Sequence, residues 1–227
     1  MFSVAIDGLA GCGKSALALG LAKRLNFRYF NTGAMYRGIT CEYLRVFGET
    51  QPNENKILQL LEGLDVKIIF NGDEQRVVIN GIDQTPNLRR EVVSNMTPFV
   101  SGYENLRDKV REIQRQFAKE NNCIMEGRDI GSVVLKDANV KIFLTASSEE
   151  RAKRRFVQMS NDPTRPSFEE ILQDIKRRDE VDKTREHGKL LVADDAIIVD
   201  NSNFTLPQTI SYCETLISQK LNQKDNK

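Results

Sequence analysis

Residues 8–15, Gly-Leu-Ala-Gly-Cys-Gly-Lys-Ser, match the phosphate-binding loop pattern G-x-x-x-x-G-K-[ST]. Glycines allow consecutive backbone N–H groups to point at phosphate oxygens, and the N-terminus of a following helix adds positive potential there. We expect Lys14 to reach the β- and γ-phosphates and the Ser15 hydroxyl to ligate Mg²⁺. The loop therefore predicts a site for a nucleoside triphosphate. The loop alone does not separate a kinase from a GTPase or a motor, although the guanine-reading pattern N-K-x-D is absent.

Two further clusters carry groups suited to phosphate chemistry. In residues 31–37, Asn-Thr-Gly-Ala-Met-Tyr-Arg, Gly33 lies at a predicted helix start and Arg37 one turn further on. This segment is either a second anion site or an ordinary helix cap with a surface arginine. In residues 126–129, Glu-Gly-Arg-Asp, Glu126 ends an apolar run, where its carboxylate could meet Mg²⁺ or its waters. The alternative for this cluster is a strand-end turn with a salt bridge.

A third cluster, residues 177–185, is rich in both charges. On a helix, Arg178, Asp182 and Arg185 fall at i, i+4 and i+7 and share one face. That face could serve a ligand or could be a solvated, ion-paired surface. The same two interpretations apply to the arginines at 151, 154 and 155.

The elements that position these clusters follow from the hydrophobic pattern. Five short apolar runs, separated by helical segments, predict a doubly wound parallel sheet with ligands at the carboxyl ends of its strands. These runs are residues 4–6, 28–30, 123–125, 140–144 and 196–199. Residues 64–84 alternate with period two and contain two Asn-Gly turn dipeptides, which predicts a three-stranded meander. Residues 158–168 predict a mobile loop in an Arg-rich helical hairpin that could form a lid.

Composition narrows the class of protein. The chain of 227 residues has 33 Lys plus Arg against 32 Asp plus Glu, so a net charge of +1 gives no support for a large nucleic-acid footprint. The four cysteines are widely spaced without a C-x-x-C pair, which indicates reduced thiols. We expect a cytoplasmic monomer with no leader peptide, no membrane segment and no nucleic-acid partner.

Taken together, the clusters resemble bacterial cytidylate kinases, the nucleoside monophosphate kinases that phosphorylate CMP and dCMP. The family is indicated far more specifically by two other segments occurring together than by the phosphate loop. These are Gly-Arg-Asp-Ile-Gly at 127–131 and Thr-Gly-Ala-Met-Tyr-Arg at 32–37. The resemblance spans nearly the whole chain. It implies an α/β, P-loop kinase-like three-layer fold with a five-stranded parallel sheet, a small three-stranded antiparallel insert and a short lid. It further implies one domain over 1–227, with a core (1–31, 121–148, 190–220), a monophosphate-binding region (32–120) and a lid region (149–189).

The resemblance also implies the reaction and its residues. ATP and (d)CMP would give ADP and (d)CDP, with ATP and Mg²⁺ bound. The residues implied for ATP are Gly8, Leu9, Ala10, Gly11, Cys12, Gly13, Lys14, Ser15, Ala16 and Arg154, with Ser15 on the metal. Those implied for CMP or dCMP are Thr32, Arg37, Arg89, Arg107, Arg128, Asp129, Arg178, Asp182 and Arg185. The residues implied to be catalytic are Lys14, Arg128, Asp129, Arg178 and Arg185. Arg37 and Arg128 would hold the CMP phosphate. Asp129 would accept a hydrogen bond from the exocyclic amino group of cytosine.

Three positions depart from the family's usual residues. Asn31 stands where Asp is usual, Thr97-Pro98 occupies the place of a serine that helps to read cytosine, and Glu126 replaces Asp. None of these changes removes a phosphate-binding group, so we expect activity to persist while base selectivity could shift. The alternatives are a P-loop kinase for UMP or a non-nucleotide acceptor, and a non-catalytic nucleotide sensor or nucleic-acid-associated protein.

Overall fold

The structure, a computed structural model, describes residues 1–48, 51–72, 74–184 and 186–225. Its strands are β1 (Ser3–Gly8), β2 (Arg28–Asn31), β3 (Val66–Asn71), β4 (Glu74–Ile79), β5 (Ile82–Asp83), β6 (Cys123–Glu126), β7 (Val140–Thr145) and β8 (Ile197–Asp200). Its helices are α1 (Lys14–Leu25), α2 (Thr32–Phe47), α3 (Glu54–Glu62), α4 (Glu91–Val100), α5 (Glu104–Glu120), α6 (Ser148–Gln158), α7 (Phe168–Thr184) and α8 (Leu206–Asp225). A 3-10 turn (Thr85–Asn87) and a π-helical turn (Ile130–Val134) complete the set.

The strands form two sheets that match the expected fold class. One has five strands in the order β2-β6-β1-β7-β8, and the other has three in the order β3-β4-β5. In the larger sheet β1 runs parallel to β6 and β7, and β7 runs parallel to β8. All five predicted strands of this sheet are present, each within two residues of its predicted start, and the meander is confirmed. The chain divides into two compact units, residues 1–28 with 121–227, and residues 29–120.

In the first unit, β1 is the central strand of the sheet, and its residues are apolar on both faces. Val4, Ala5 and Ile6 are completely buried, as expected for a parallel strand covered on both sides by helices. Helices α1 and α8 approach closely: a Cβ added at Gly20 of α1 would lie 2.4 Å from Cδ1 of Ile210 in α8. Because β1, β6, β7 and β8 run parallel, their carboxyl ends come together at one edge of the sheet.

Helices α6 and α7 of the first unit form the predicted Arg-rich hairpin. Its small core contains Ala152, Ile171 and Ile175, with Phe156 and Phe168 packed against it. Between the two helices, the Arg165 guanidinium stacks on the Phe156 ring at 3.7 Å from its centroid. The hairpin therefore has its own apolar contacts.

In the second unit, the meander packs on α2. A Cβ at Gly38 would lie 2.5 Å from Cγ1 of Val77, so only glycine allows α2 and β4 this close. The Asn80-Gly81 turn has positive φ at both residues, 49° and 79°, as a tight hairpin requires. Residue 73, beside the Asn71-Gly72 dipeptide, lies outside the described residues. Across the described residues of both units, no helix is long and apolar enough to cross a membrane.

Candidate active site

The phosphate loop connects β1 to α1 in the predicted way. Gly8 has a φ of 149°, and a Cβ there would lie 2.0 Å from the carbonyl oxygen of Leu144. Only glycine fits at this position, because a side chain would strike the neighbouring strand. Gly13, at the start of α1, has a left-handed φ of 95°, which glycine also adopts most easily. The backbone amides at this helix N-terminus form the type of concavity that binds phosphate.

Lys14 is buried within the loop that it is expected to serve. Its ammonium donates to the carbonyl oxygens of Gly8 at 2.9 Å and Leu9 at 2.7 Å. Burial lowers the pKa of Lys14, and the positive charge of Arg128 lowers it further. Two cationic groups, one from the loop and one from the segment after β6, are therefore near each other.

Other side chains hold the outer carbonyl groups of the loop. The Arg151 guanidinium donates to the carbonyl oxygen of Ala10 at 2.9 Å, and the Asn201 amide donates to that of Cys12 at 3.0 Å. Arg154, which we expected at ATP, donates to the side-chain oxygen of Asn201 at 3.1 Å and to its carbonyl at 2.7 Å. Donors from α6 and from the end of β8 thus fix the loop. Our expected site residues did not include Asn201, although its place two residues after a predicted strand was a usable signal.

Ser15 and Glu126 form a pair of oxygen groups beside the loop. The Ser15 hydroxyl donates to Oε1 of Glu126 at 2.8 Å, and Glu126 is only 6% exposed. Parallel pairing of β1 and β6 sets Ile6 opposite Glu126, which brings the carboxylate to the phosphate loop. The longer side chain at 126 thus reaches the serine directly. Hydroxyl and carboxylate oxygens are ligands that suit Mg²⁺, which keeps several waters and phosphate oxygens as its other ligands.

Arg128 and Asp129 follow Glu126, and each has a distinct environment. Nε of Arg128 donates to Oδ2 of Asp182 in α7 at 2.6 Å. Asp129 is 5% exposed and directly precedes the π-helical turn. The Arg128–Asp182 hydrogen bond therefore joins one residue from each of two separate predicted clusters.

Asp7, another residue absent from our expected site, anchors this segment. Its carboxylate accepts from the backbone N–H of Ile130 at 2.8 Å and of Gly131 at 2.7 Å. Burial raises the pKa of Asp7 to about 6; the two backbone hydrogen bonds and the charge of Lys14 oppose this rise, whereas Asp129 adds to it. An acidic residue directly before the first loop glycine was the only sequence signal for this role.

Arg178 lies apart from the buried groups. Its Nε donates to Oδ2 of Asp174 at 2.8 Å, and its side chain is 62% exposed. This geometry matches the solvated, ion-paired face that the sequence left open, whereas Asp182 on the same helix contacts Arg128. Arg185 lies outside the described residues.

In the second unit, the start of α2 has the geometry of an anion site. The Asn31 side chain caps the helix by accepting from the Ala34 N–H at 2.9 Å, and Thr32 is 4% exposed. The Arg37 side chain folds back over the first turn of α2. Its Nη1 would lie 3.5 Å from a Cβ added at Gly33. A guanidinium and helix N-terminal amides therefore lie side by side, and the capping and anion-site interpretations are compatible.

The other predicted residues of the second unit lie on α5 and before α4. Arg107 is 3% exposed, donates to the carbonyl oxygen of Ser101 at 3.2 Å and lies 5.4 Å from the centroid of the Tyr36 ring. Arg89 is exposed. The Thr97 hydroxyl, next to Pro98, donates within α4 to the carbonyl oxygen of Val93 at 2.6 Å. That hydroxyl is thus engaged with its own helix.

A phosphate loop between β1 and α1, on a parallel sheet of this order, defines a P-loop α/β protein. A family model described as cytidylate kinase matches residues 4–219. The cytidylate kinase of Carboxydothermus hydrogenoformans is 41% identical over 217 residues, covering 96% of this chain and 97% of that protein. The cytidylate kinase of Caldicellulosiruptor saccharolyticus is 42% identical over 209 residues, covering 92% of each. The chain belongs to the cytidylate kinase family.

Solved structures resemble the chain more loosely. A shikimate kinase from Bacteroides thetaiotaomicron has a TM-score of 0.46 at 11% identity, covering 96% of this chain and 98% of that one. This likeness adds nothing to the family relationship.

Proposed function

We propose that this protein transfers the γ-phosphoryl group of ATP to CMP or dCMP, giving ADP and CDP or dCDP. Membership of the cytidylate kinase family supports the reaction and its acceptor. Four free, buried cysteines suit a reducing compartment, and we propose that the protein works in the cytoplasm.

The observation that carries the proposal is the direct hydrogen bond of 2.8 Å between Ser15 of the phosphate loop and Glu126, which holds the segment that contains Arg128 at that loop. Lys14 belongs to the triphosphate loop, and Arg128 to the segment that we assign to the acceptor phosphate. Arg128 is close enough for its charge to lower the pKa of Lys14. Phosphoryl transfer requires donor and acceptor phosphates to meet in line, where positive groups offset the charge of the transition state.

On the donor side, we assign the loop amides, Lys14 and Arg154 to the triphosphate. Ser15 and Glu126 would hold Mg²⁺, because their oxygens already lie 2.8 Å apart at the loop and the remaining ligands would be phosphate oxygens and water. The metal, when bound, offsets charge on the β- and γ-phosphates. Arg151 and Asn201 would keep the loop in the conformation that presents its amides.

On the acceptor side, we assign Arg128 and Arg37 to the CMP phosphate. Asp129 would accept from the cytosine amino group. The other residues assigned to the nucleotide are Thr32, Arg89, Arg107, Arg178, Asp182 and Arg185. Asp182, which now pairs with Arg128, would keep that guanidinium oriented until an acceptor phosphate replaces it.

The chemical step needs no covalent intermediate with the protein. An oxygen of the CMP phosphate attacks the γ-phosphorus, a new P–O bond forms, and the bond to the bridging oxygen of ADP breaks. Positioning and fixed positive charge supply the rate enhancement.

The direct test is ADP release by the purified protein with Mg²⁺-ATP and a panel of CMP, dCMP, UMP, AMP, GMP and dTMP. We expect fast turnover confined to CMP and dCMP. Equal turnover of UMP would indicate that the unusual residues Asn31 and Pro98 alter the recognition of the base. No turnover with any monophosphate would overturn the proposal.

The role of Asp129 can be tested separately with Asp129→Asn. If Asp129 accepts from the cytosine amino group, the variant should lose more kcat/KM with CMP than with UMP, because uracil has no such donor. Equal losses with both acceptors would remove Asp129 from base recognition.

A further inference from the structure

We infer that Asp7 is a positioning residue for the phosphoryl acceptor, because it fixes the Arg128–Asp129 segment to the strand that carries the phosphate loop. The inference rests on the proposed function, since it needs Arg128 and Asp129 to serve the acceptor. It adds a residue that touches no substrate itself.

The contact is a two-point one between distant parts of the chain. Asp7 uses one carboxylate oxygen for the Ile130 N–H and the other for the Gly131 N–H, at 2.8 and 2.7 Å. These are the first two amides after Asp129, at the start of the π-helical turn, where backbone donors have no partner within the turn. Asp129 makes no side-chain cap there. Asp7 of β1 therefore caps the turn, a role that the side chain of Asp129 does not take.

The Asp7 carboxylate and the start of the turn are buried and closely packed. Asp7 is 5% exposed, so water offers little substitute for a lost contact. A Cβ added at Gly131 would lie 3.4 Å from Oδ2 of Asp7 and 3.2 Å from Cδ of Lys141. The absence of a side chain at Gly131 therefore allows both the Asp7 carboxylate and the Lys141 stem to approach the turn closely. Two hydrogen bonds to consecutive amides fix the direction of the peptide that precedes them.

The effect should be larger on the acceptor than on ATP. Asp7 directly precedes Gly8, but the phosphate loop has its own supports: Arg151 holds the Ala10 carbonyl and Asn201 holds that of Cys12. The start of the turn after Asp129 has Asp7 as its cap. Loss of the Asp7 carboxylate should therefore let Arg128 and Asp129 shift while the loop remains in place.

The test is Asp7→Asn, which keeps the side-chain shape and one acceptor but turns an amide N–H toward the second backbone donor. We expect KM for CMP to rise about tenfold or more, the loss associated with a hydrogen bond to a charged group, while KM for ATP changes less than about threefold. Hydrogen exchange at the Ile130 and Gly131 amides should accelerate. The matched control is Asp195→Asn, which removes the exposed carboxylate that pairs with Lys141 of β7. This control should change neither the KM for CMP nor the KM for ATP.

A second variant covers a failure of Asp7→Asn to fold. Gly131→Ala leaves Asp7 in place but pushes a methyl group against Lys141 and Oδ2 of Asp7, and should produce the same selective rise in KM for CMP. A folded Asp7→Asn protein with unchanged KM for CMP, or with equal increases for CMP and ATP, would overturn the inference.

Failure of the inference differs from failure of the proposed function. An active wild type with an unaffected Asp7→Asn variant overturns only the role of Asp7. A wild type that turns over no monophosphate overturns the proposed function and, with it, the acceptor role. Amide exchange at residues 130 and 131 needs no activity, and unchanged exchange in Asp7→Asn would show that the carboxylate does not hold the turn.

Discussion

Arg151 and Asp179 form an ion pair with two parallel hydrogen bonds, of 2.9 and 2.6 Å, that joins α6 to α7. The Arg151 side chain is 2% exposed and that of Asp179 is 13% exposed. The same guanidinium also donates to Ala10 in the phosphate loop. One buried group thus connects the helical hairpin to the loop.

We expect Arg151→Met to lower the free energy of unfolding by about 3 kcal/mol or more, because it leaves the buried Asp179 carboxylate without its partner. It should also raise KM for ATP, since the Ala10 carbonyl loses its donor. Chemical denaturation and initial-rate kinetics measure the two effects. The matched control is Arg177→Met, which breaks an exposed pair with Asp174 on α7 and should cost less than about 1 kcal/mol. Equal costs for the two variants would contradict this assignment.

Stability should depend on pH through Asp7. Burial raises the pKa of this carboxyl from 3.8 to about 6 in the folded protein, and Asp129 and Lys14 are the charged groups that act on it. Between these values the folded protein retains a proton that the unfolded chain has lost. The contribution of Asp7 is therefore full below about pH 4 and is lost as pH rises through 6, a change of about 3 kcal/mol.

The measurement is the free energy of unfolding at pH 4 and pH 7 for wild type and Asp7→Asn. Other carboxyl groups contribute equally to both proteins, so their difference isolates Asp7. Wild type should lose stability relative to the variant as pH rises. Parallel pH profiles would argue against a raised pKa at this position.

Substitutions of Arg128 and Arg178, both of which we expected to be catalytic, should have different effects on turnover. Arg128→Ala should lower kcat/KM for CMP on the order of 10³-fold, by analogy with arginines that stabilise phosphoryl transfer. Arg178→Ala should cost less, because Arg178 must first leave Asp174 to reach a phosphate. Initial rates with CMP and ATP decide between them. Near-wild-type turnover of Arg128→Ala would remove Arg128 from the transition state.

Glu126 should control the requirement for Mg²⁺. Glu126→Asp withdraws the carboxylate by one C–C bond, about 1.5 Å, and breaks its direct hydrogen bond with Ser15. We expect a several-fold higher Mg²⁺ concentration for half-maximal rate, with kcat at saturating Mg²⁺ largely retained. Glu126→Gln, which keeps the length and loses the charge, should raise the requirement further. Unchanged Mg²⁺ dependence in both variants would exclude Glu126 from the metal site.

The parts of the structure that the sequence predicts are those with local causes. The phosphate loop occupies eight consecutive residues between an apolar strand and an amphipathic helix, so its pattern, elements and conformation agree within a short stretch. The meander follows from alternation and from the Asn80-Gly81 dipeptide, whose positive φ values only a few residue types adopt. The five strands of the parallel sheet are predicted from short apolar runs, because the inner strands of such a sheet are apolar on both faces. The two edge strands, β2 and β8, are buried only in part.

Contacts between distant residues were decided by the tertiary structure. Asp7 meets Ile130 across 123 positions, and Asn201 meets Cys12 across 189. Arg151 and Arg178 have similar charged neighbours in sequence, yet packing between α6 and α7 buries the first and leaves the second in solvent. Periodicity identifies a helix face but not what covers it. The parallel sheet brings the carboxyl ends of its strands to one edge, and helix packing such as that of α6 on α7 covers further groups. Together they determine which charged groups lose water and must therefore find partners.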